Sequence, residues 1–190
     1  MLDIRDHGGT FGGLSGSNIK SIQRGTTILP DGGSASSKSM SVALNNVDIS
    51  KSFVIFNLYN GETGTYALDG RVLGAKCVSV TLDSENSLLI KRSYGYGPVT
   101  VDWWVVELKE LKSKQSGSFG IATKTTTQTI SSVDLAKSFL FYSYESSDIA
   151  TTMNADNYSI LLQLSSSSQL YFKQKDNVQK TVYWHLIELK

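Results

Sequence analysis

Residues 99–109 read VTVDWWVVELK, and residues 180–190 read KTVYWHLIELK. An eleven-residue pattern that returns 81 positions later marks an internal duplication. In the first copy Val101, Trp103 and Val105 fall on one side of a period-two pattern, and Asp102, Trp104, Val106 and Leu108 on the other. That period belongs to a β-strand, and the Val, Ile, Tyr and Trp content of both copies agrees. In the second copy Val182, Trp184 and Leu186 hold the places of Val101, Trp103 and Val105. This stripe predicts a shared core, with Trp103 and Trp184 as its largest members. On the opposite side His185 takes the place of Trp104, so the copies diverge there, and His185 reads as a half-exposed strand residue.

The repeat extends outward from this strand. VDISKSFVIFNL, from Val47, matches VDLAKSFLFYSY, from Val133, at an offset of 86. KCVSVTL, from Lys76, matches YSILLQL, from Tyr158, and SLLIK, from Ser87, matches QLYFK, from Gln169, both at an offset of 82. The offset changes only within stretches that read as loops, where length changes are tolerated. The expected fold is all-β: two tandem antiparallel β-sandwich or small-barrel modules of about five or six strands each. The chain divides into a glycine-rich leader (1–18), a first module (19–111) and a second module (112–190). Within this division the polar stretch from Lys109 to Ser118 reads as the linker.

Composition narrows the function. A hydrophobic fraction of 40% and a charged fraction of 18% fit a globular chain rather than a disordered one. The net charge of +1 comes from scattered basic residues, so no nucleic-acid partner is expected. No run of 18 apolar residues is present, and the first residues lack a basic stretch followed by an apolar one. Membrane insertion and a secretory signal are therefore not expected, and synthesis in a cytoplasm is. The one cysteine, Cys77, excludes an internal disulfide and reads as a small buried residue, with Ser159 at its place in the second copy.

No enzyme and no cofactor are expected. His7 and His185 sit in no metal-ligand spacing, and no nucleophile, base or paired-carboxylate arrangement stands out. Asp48 and Asp134, in the repeated Val-Asp-x-x-Lys-Ser-Phe, read as caps of their own turns, with Lys51 and Lys137 covering a sheet edge. Glu107 and Glu188 read as edge or inter-module contacts. The candidate ligand or subunit contacts are Tyr59, Tyr66, Tyr94, Tyr96 and Trp104, aromatic residues of the first module that find no aromatic match in the second. Exposed rings stack on sugars and also dominate protein interfaces. The leader carries Arg5, Asp6, His7 and Phe11 among its glycines, a set that a bland spacer would not need, and these are the candidate anchor.

The strings I-Q-R-G-T (22–26), V-D-I-S-K-S-F (47–53) and V-D-W-W-V-V-E-L (101–108) resemble modules of tailed-bacteriophage and prophage virion proteins. DIRDHGGTFGG (3–13) is similar to N-terminal segments of phage appendage proteins. The resemblance implies a non-enzymatic virion protein made in a bacterial host cytoplasm, a tail, tail-fibre or decoration component. Its leader would attach to capsid or tail proteins, and its modules would serve host-surface adhesion. A more distant likeness, carried by the closing Val-x-Trp strand, is to H-type lectins. It implies a carbohydrate-binding face for a host-surface glycan and a homo-oligomer of trimeric habit. The second module departs from the virion pattern by lacking I-Q-R-G and the second Trp, which places any binding role in one copy.

Overall fold

A computed structural model describes residues 18–30, 38–59, 76–93, 97–146 and 158–190. The first module contains β1 (Ile19–Leu29), β2 (Lys38–Ala43), β3 (Ser52–Tyr59), β4 (Val78–Ser84), β5 (Ser87–Arg92) and β6 (Val99–Leu108). The second contains β7 (Ser113–Ile121), β8 (Thr125–Thr129), β9 (Ser138–Ser146), β10 (Ile160–Ser166), β11 (Gln169–Gln174) and β12 (Lys180–Glu188). Each module folds into two three-stranded sheets, in order β1-β6-β3 and β2-β5-β4, then β7-β12-β9 and β8-β11-β10. Every pairing is antiparallel. The sheets of a module remain separate and face each other, so each module is sandwich-like and the small-barrel alternative is excluded among the described residues.

The Trp strand is the central strand of its sheet in both modules, which explains its regular alternation. Val101, Trp103 and Val105 point between the sheets and are at most 6% exposed; Val182, Trp184 and Leu186 do the same in the second module. Leu88 and Ile90 of β5, and Leu170 and Phe172 of β11, close the two cores from the opposite sheets. Each core removes a continuous apolar layer from water, the dominant favourable contribution to folding.

β7 corrects the reading of Lys109–Ser118 as a linker, because residues 113–118 lie within a strand paired with β12 from Glu188↔Ser113 to Lys180↔Ile121. Its apolar signal is weak for a physical reason. Gly117 lies under the Trp184 ring, Gln115 is engaged with backbone, and only Phe119 and Ile121 among its inward residues are large and apolar. Once β7 is aligned with β1, the loss of I-Q-R-G narrows to its Ile and Arg, replaced by Lys114 and Ser116. Lys20-Ser21-x-Gln23-x-Gly25 recurs as Lys112-Ser113-x-Gln115-x-Gly117, and the two glycines pair with Trp103 and Trp184.

Candidate functional site

The repeated polar residues build the modules before they could serve any ligand. The Glu107 carboxylate accepts from the Lys20 ammonium (2.8 Å), the Ser21 hydroxyl (3.0 Å) and the Asp48 N–H (3.0 Å). Glu188 repeats the set with Lys112 (2.8 Å), Ser113 (2.9 Å) and the Asp134 N–H (2.8 Å). Both are therefore clamps inside a module, which corrects the expectation of edge or inter-module contacts. Burial alone would raise the Glu107 pKa, but its three donors outweigh burial and lower it. The Lys112 ammonium, with the Asp134 N–H and Ser113, brings Glu188 down to about 2.

A second repeated clamp ties the first strand to a neighbouring segment. The Gln23 amide donates to the Asn45 carbonyl and accepts from the Asn45 N–H; Gln115 treats Ser131 in the same way. Asp48 and Asp134 cap the 3-10 turns at Ile49–Lys51 and Leu135–Lys137 by accepting from the N–H two residues on, as expected. Lys51 lies 3.6 Å from the Asp48 carboxylate rather than lying alone over a sheet edge.

The outer faces of the two Trp-strand sheets carry what the clamps leave free, and here the modules differ. In the second module the outer face of β7-β12-β9 packs against β4 and β5 of the first and, through Phe53, Val106 and Leu108, against one end of the outer face of β1-β6-β3. Phe141 stacks on Phe53 at 4.9 Å between centroids, and Phe139 meets Phe53 edge-on at 5.9 Å. Ile187, Val106 and Leu108 are buried in the same cluster. The Glu145 carboxylate accepts from Ser79 (2.8 Å) and Ser93 (3.1 Å) and lies 3.4 Å from the Lys91 ammonium. Lys114 reaches across to donate to the Ile49 and Ser52 carbonyls, both at 2.6 Å. Cys77 is buried here as expected, and burial raises its thiol pKa to about 12.

His185 belongs to this junction. Its pairing residues on the neighbouring strands are Phe141 and Ser116, and both ring nitrogens are buried without a hydrogen-bond partner. Desolvation, with the nearby Lys114 charge, lowers its pKa to about 4. The expectation of a half-exposed strand residue is thus too simple: the imidazole is a neutral group held in the contact between modules.

The equivalent outer face of the first module, on β1-β6-β3, is open over much of its area. Trp104 lies between Arg24 and Ile55 in register, and Thr100 lies between Ile28 and Tyr59. Ile22, Ile28, Ile55 and Tyr59 are 42%, 57%, 39% and 65% exposed, an unusual run of apolar exposure on one sheet face. Between these rows Thr26 donates to Asp102 at 2.5 Å. Trp104 and Tyr59, both candidates from the sequence, are thereby brought to one face. Tyr66, Tyr94 and Tyr96 lie outside the described residues, as do Arg5, Asp6, His7 and Phe11. Sequence reasoning missed Ile22, Ile28 and Ile55; the first two carried a signal as isoleucines on the polar side of the β1 alternation, whereas Ile55 shares its side of β3 with Phe53 and Tyr59.

The fold and this face define a tandem all-β module protein. Comparison with known proteins gives no match, whether to family models, to curated proteins or to solved structures.

Proposed function

We propose that this chain is a non-enzymatic structural component of a bacteriophage virion, a tail, tail-fibre or decoration protein. Its leader attaches it to capsid or tail proteins, and its docked modules are displayed toward the host surface. The observation that supports an assembly role is the junction itself. Two copies of one sandwich are held together by a buried aromatic cluster and a carboxylate of the second module with three partners in the first. The corresponding face of the first module then presents Trp104, Ile55 and Tyr59 outward. The virion assignment itself rests on the motifs I-Q-R-G-T, V-D-I-S-K-S-F and V-D-W-W-V-V-E-L. Display of repeated modules on a symmetric particle gives weak contacts the benefit of a high effective concentration.

Mass spectrometry of purified particles tests the reading, and the chain should appear as a stoichiometric component. Particles that lack it overturn the proposal. A version without residues 1–18 should fold and be missing from the particles; its normal incorporation would remove the leader as the anchor.

A further inference from the structure

We propose that β10 is a pairing edge, through which two copies of this chain join their β8-β11-β10 sheets into one continuous sheet about a two-fold axis at Gln163. The proposal goes beyond the virion reading and does not depend on it. It is measured on purified chain, so its failure and the absence of the chain from particles are separate results.

β10 ends its sheet, so one row of its backbone groups faces away from β11. The Ile160 carbonyl belongs to that row, because it accepts from the Tyr142 hydroxyl of β9, in the opposite sheet, at 3.0 Å. Every second residue of a strand directs its N–H and C=O to the same side, so Leu162 and Leu164 continue the row. The first module agrees. Val80 pairs with Ile90 as Leu162 pairs with Phe172, and the Val80 N–H turns away from β5 to donate to Ser143 of the second module at 3.2 Å. The second module thus covers the edge of β4, and Tyr142 caps the start of β10. The outward groups of Leu162 and Leu164 have no partner among the described residues.

An open edge is ordinarily blunted by charge, proline or a bulge. β10 reads ILLQLSS, without charge or proline, and its one irregularity lies beyond Leu164. Ser165 stands where β4 carries Asp83, and Leu161, 47% exposed, stands where β4 carries Ser79. The spacing of the free groups selects the occupant. A second β10, antiparallel and turned about Gln163, sets Leu162 of each copy opposite Leu164 of the other. Each of these two pairs exchanges two backbone bonds, which satisfies every free group of both leucines. Gln163 then faces its own counterpart at a non-hydrogen-bonded position, where side chains approach most closely and two amides can bond each other. Leu161 faces Ser165, and no like charges meet. On the inner side Leu162 and Leu164, both part of the second core, extend its apolar layer toward that of the other copy.

A contact of one strand pair is smaller than a standard interface, so the association should be weak. Sedimentation equilibrium of the full chain across roughly 10 μM to 1 mM should show monomer and dimer in exchange. Gln163→Lys and Gln163→Glu should each weaken the dimer by about fivefold, because like charges then meet at the axis. An equimolar mixture of the two variants should regain the association, since each mixed dimer sets an ammonium against a carboxylate. Gln163 is exposed, so thermal melting of both variants should stay close to that of the parent. A parent chain that stays monomeric to about 1 mM overturns the proposal. So does association that both variants leave unchanged, or a mixture no stronger than its components.

Discussion

The carboxylate of Glu145, in the second module, accepts a hydrogen bond of 2.8 Å from the hydroxyl of Ser79, in the first. Both residues are almost wholly buried, and Ser93 and Lys91 complete the set from the same side. A carboxylate in that position is stable only while its partners remain, because leaving it buried and unpaired costs its desolvation. Glu145→Ala should therefore destabilise the docked pair by about 2–4 kcal/mol, as loss of several partly charge-assisted bonds would predict. Ser79→Ala, which leaves Ser93 and Lys91 in place, should cost about 1 kcal/mol. Chemical denaturation monitored by tryptophan fluorescence checks both. Equal midpoints for Glu145→Ala and the parent would show that the carboxylate does not hold the junction.

Much of this arrangement was legible in the chain. The alternation of Val101, Trp103 and Val105 on a central strand is strong because sheet pairing and core burial act on the same residues. β7 and β8 were illegible for the opposite reason. They are edge strands whose inward positions include Gln115, Gly117, Thr126 and Gln128, so the period-two apolar signal fades. The recurrence of Lys-Ser-x-Gln-x-Gly could have revealed β7, yet its meaning depends on Asn45, Ser131 and the tryptophans, which are distant in sequence. The docking of one module on another left a fainter trace. Phe139, Phe141 and His185 occupy outward positions where a solvent-facing strand would carry polar residues, and the first module carries Phe53, Ile55 and Trp104 at the equivalent places.

The two pairs of glycine and tryptophan give a graded steric prediction. A Cβ at Gly25 would lie 2.5 Å from Cζ2 of Trp103, whereas one at Gly117 would lie 3.1 Å from Cζ2 of Trp184. Trp103 is further fixed by its indole N–H, which donates to Thr27 at 3.0 Å, so it cannot move aside without losing that bond. Gly25→Ala should lower stability by about 2–3 kcal/mol and Gly117→Ala by about 1 kcal/mol, within the range for overpacked cores. Thermal unfolding of each variant would read the order, and a larger loss at Gly117 would contradict it.

The Glu107 clamp predicts unequal losses on its two sides. Lys20 is 59% exposed at its side chain while Glu107 is 3% exposed, so water can replace the lysine far more easily than the carboxylate. Lys20→Ala should cost less than about 1 kcal/mol, as for other solvent-exposed ion pairs. Glu107→Ala should cost about 2 kcal/mol, since it strips a partner from the Asp48 N–H and the Ser21 hydroxyl as well. Urea midpoints with unchanged slopes would report this difference, and equal losses would refute the asymmetry.

His185 predicts an acid sensitivity with a defined window. The folded chain keeps its imidazole neutral down to about pH 4, while the unfolded chain protonates it near the ordinary value of 6.5. Below 6.5 the unfolded state binds the extra proton, so stability is complete above that pH and falls as the pH drops from 6.5 toward 4. The gap corresponds to about 3 kcal/mol at most, at about 1.4 kcal/mol per pH unit. The neighbours of the ring include Lys114, whose own pKa burial lowers to about 8, and Phe141 and Ser116, its partners in register. A positive neighbour and an apolar one both oppose the charged imidazole. Glu188, held down to about 2, loses its contribution only as the pH falls below its ordinary 4.5, so the interval from 6.5 to 4.5 isolates the histidine. His185→Phe should keep the ring's packing and flatten the stability profile across that interval. A variant that retains the parent's slope there would assign the acid sensitivity to another group.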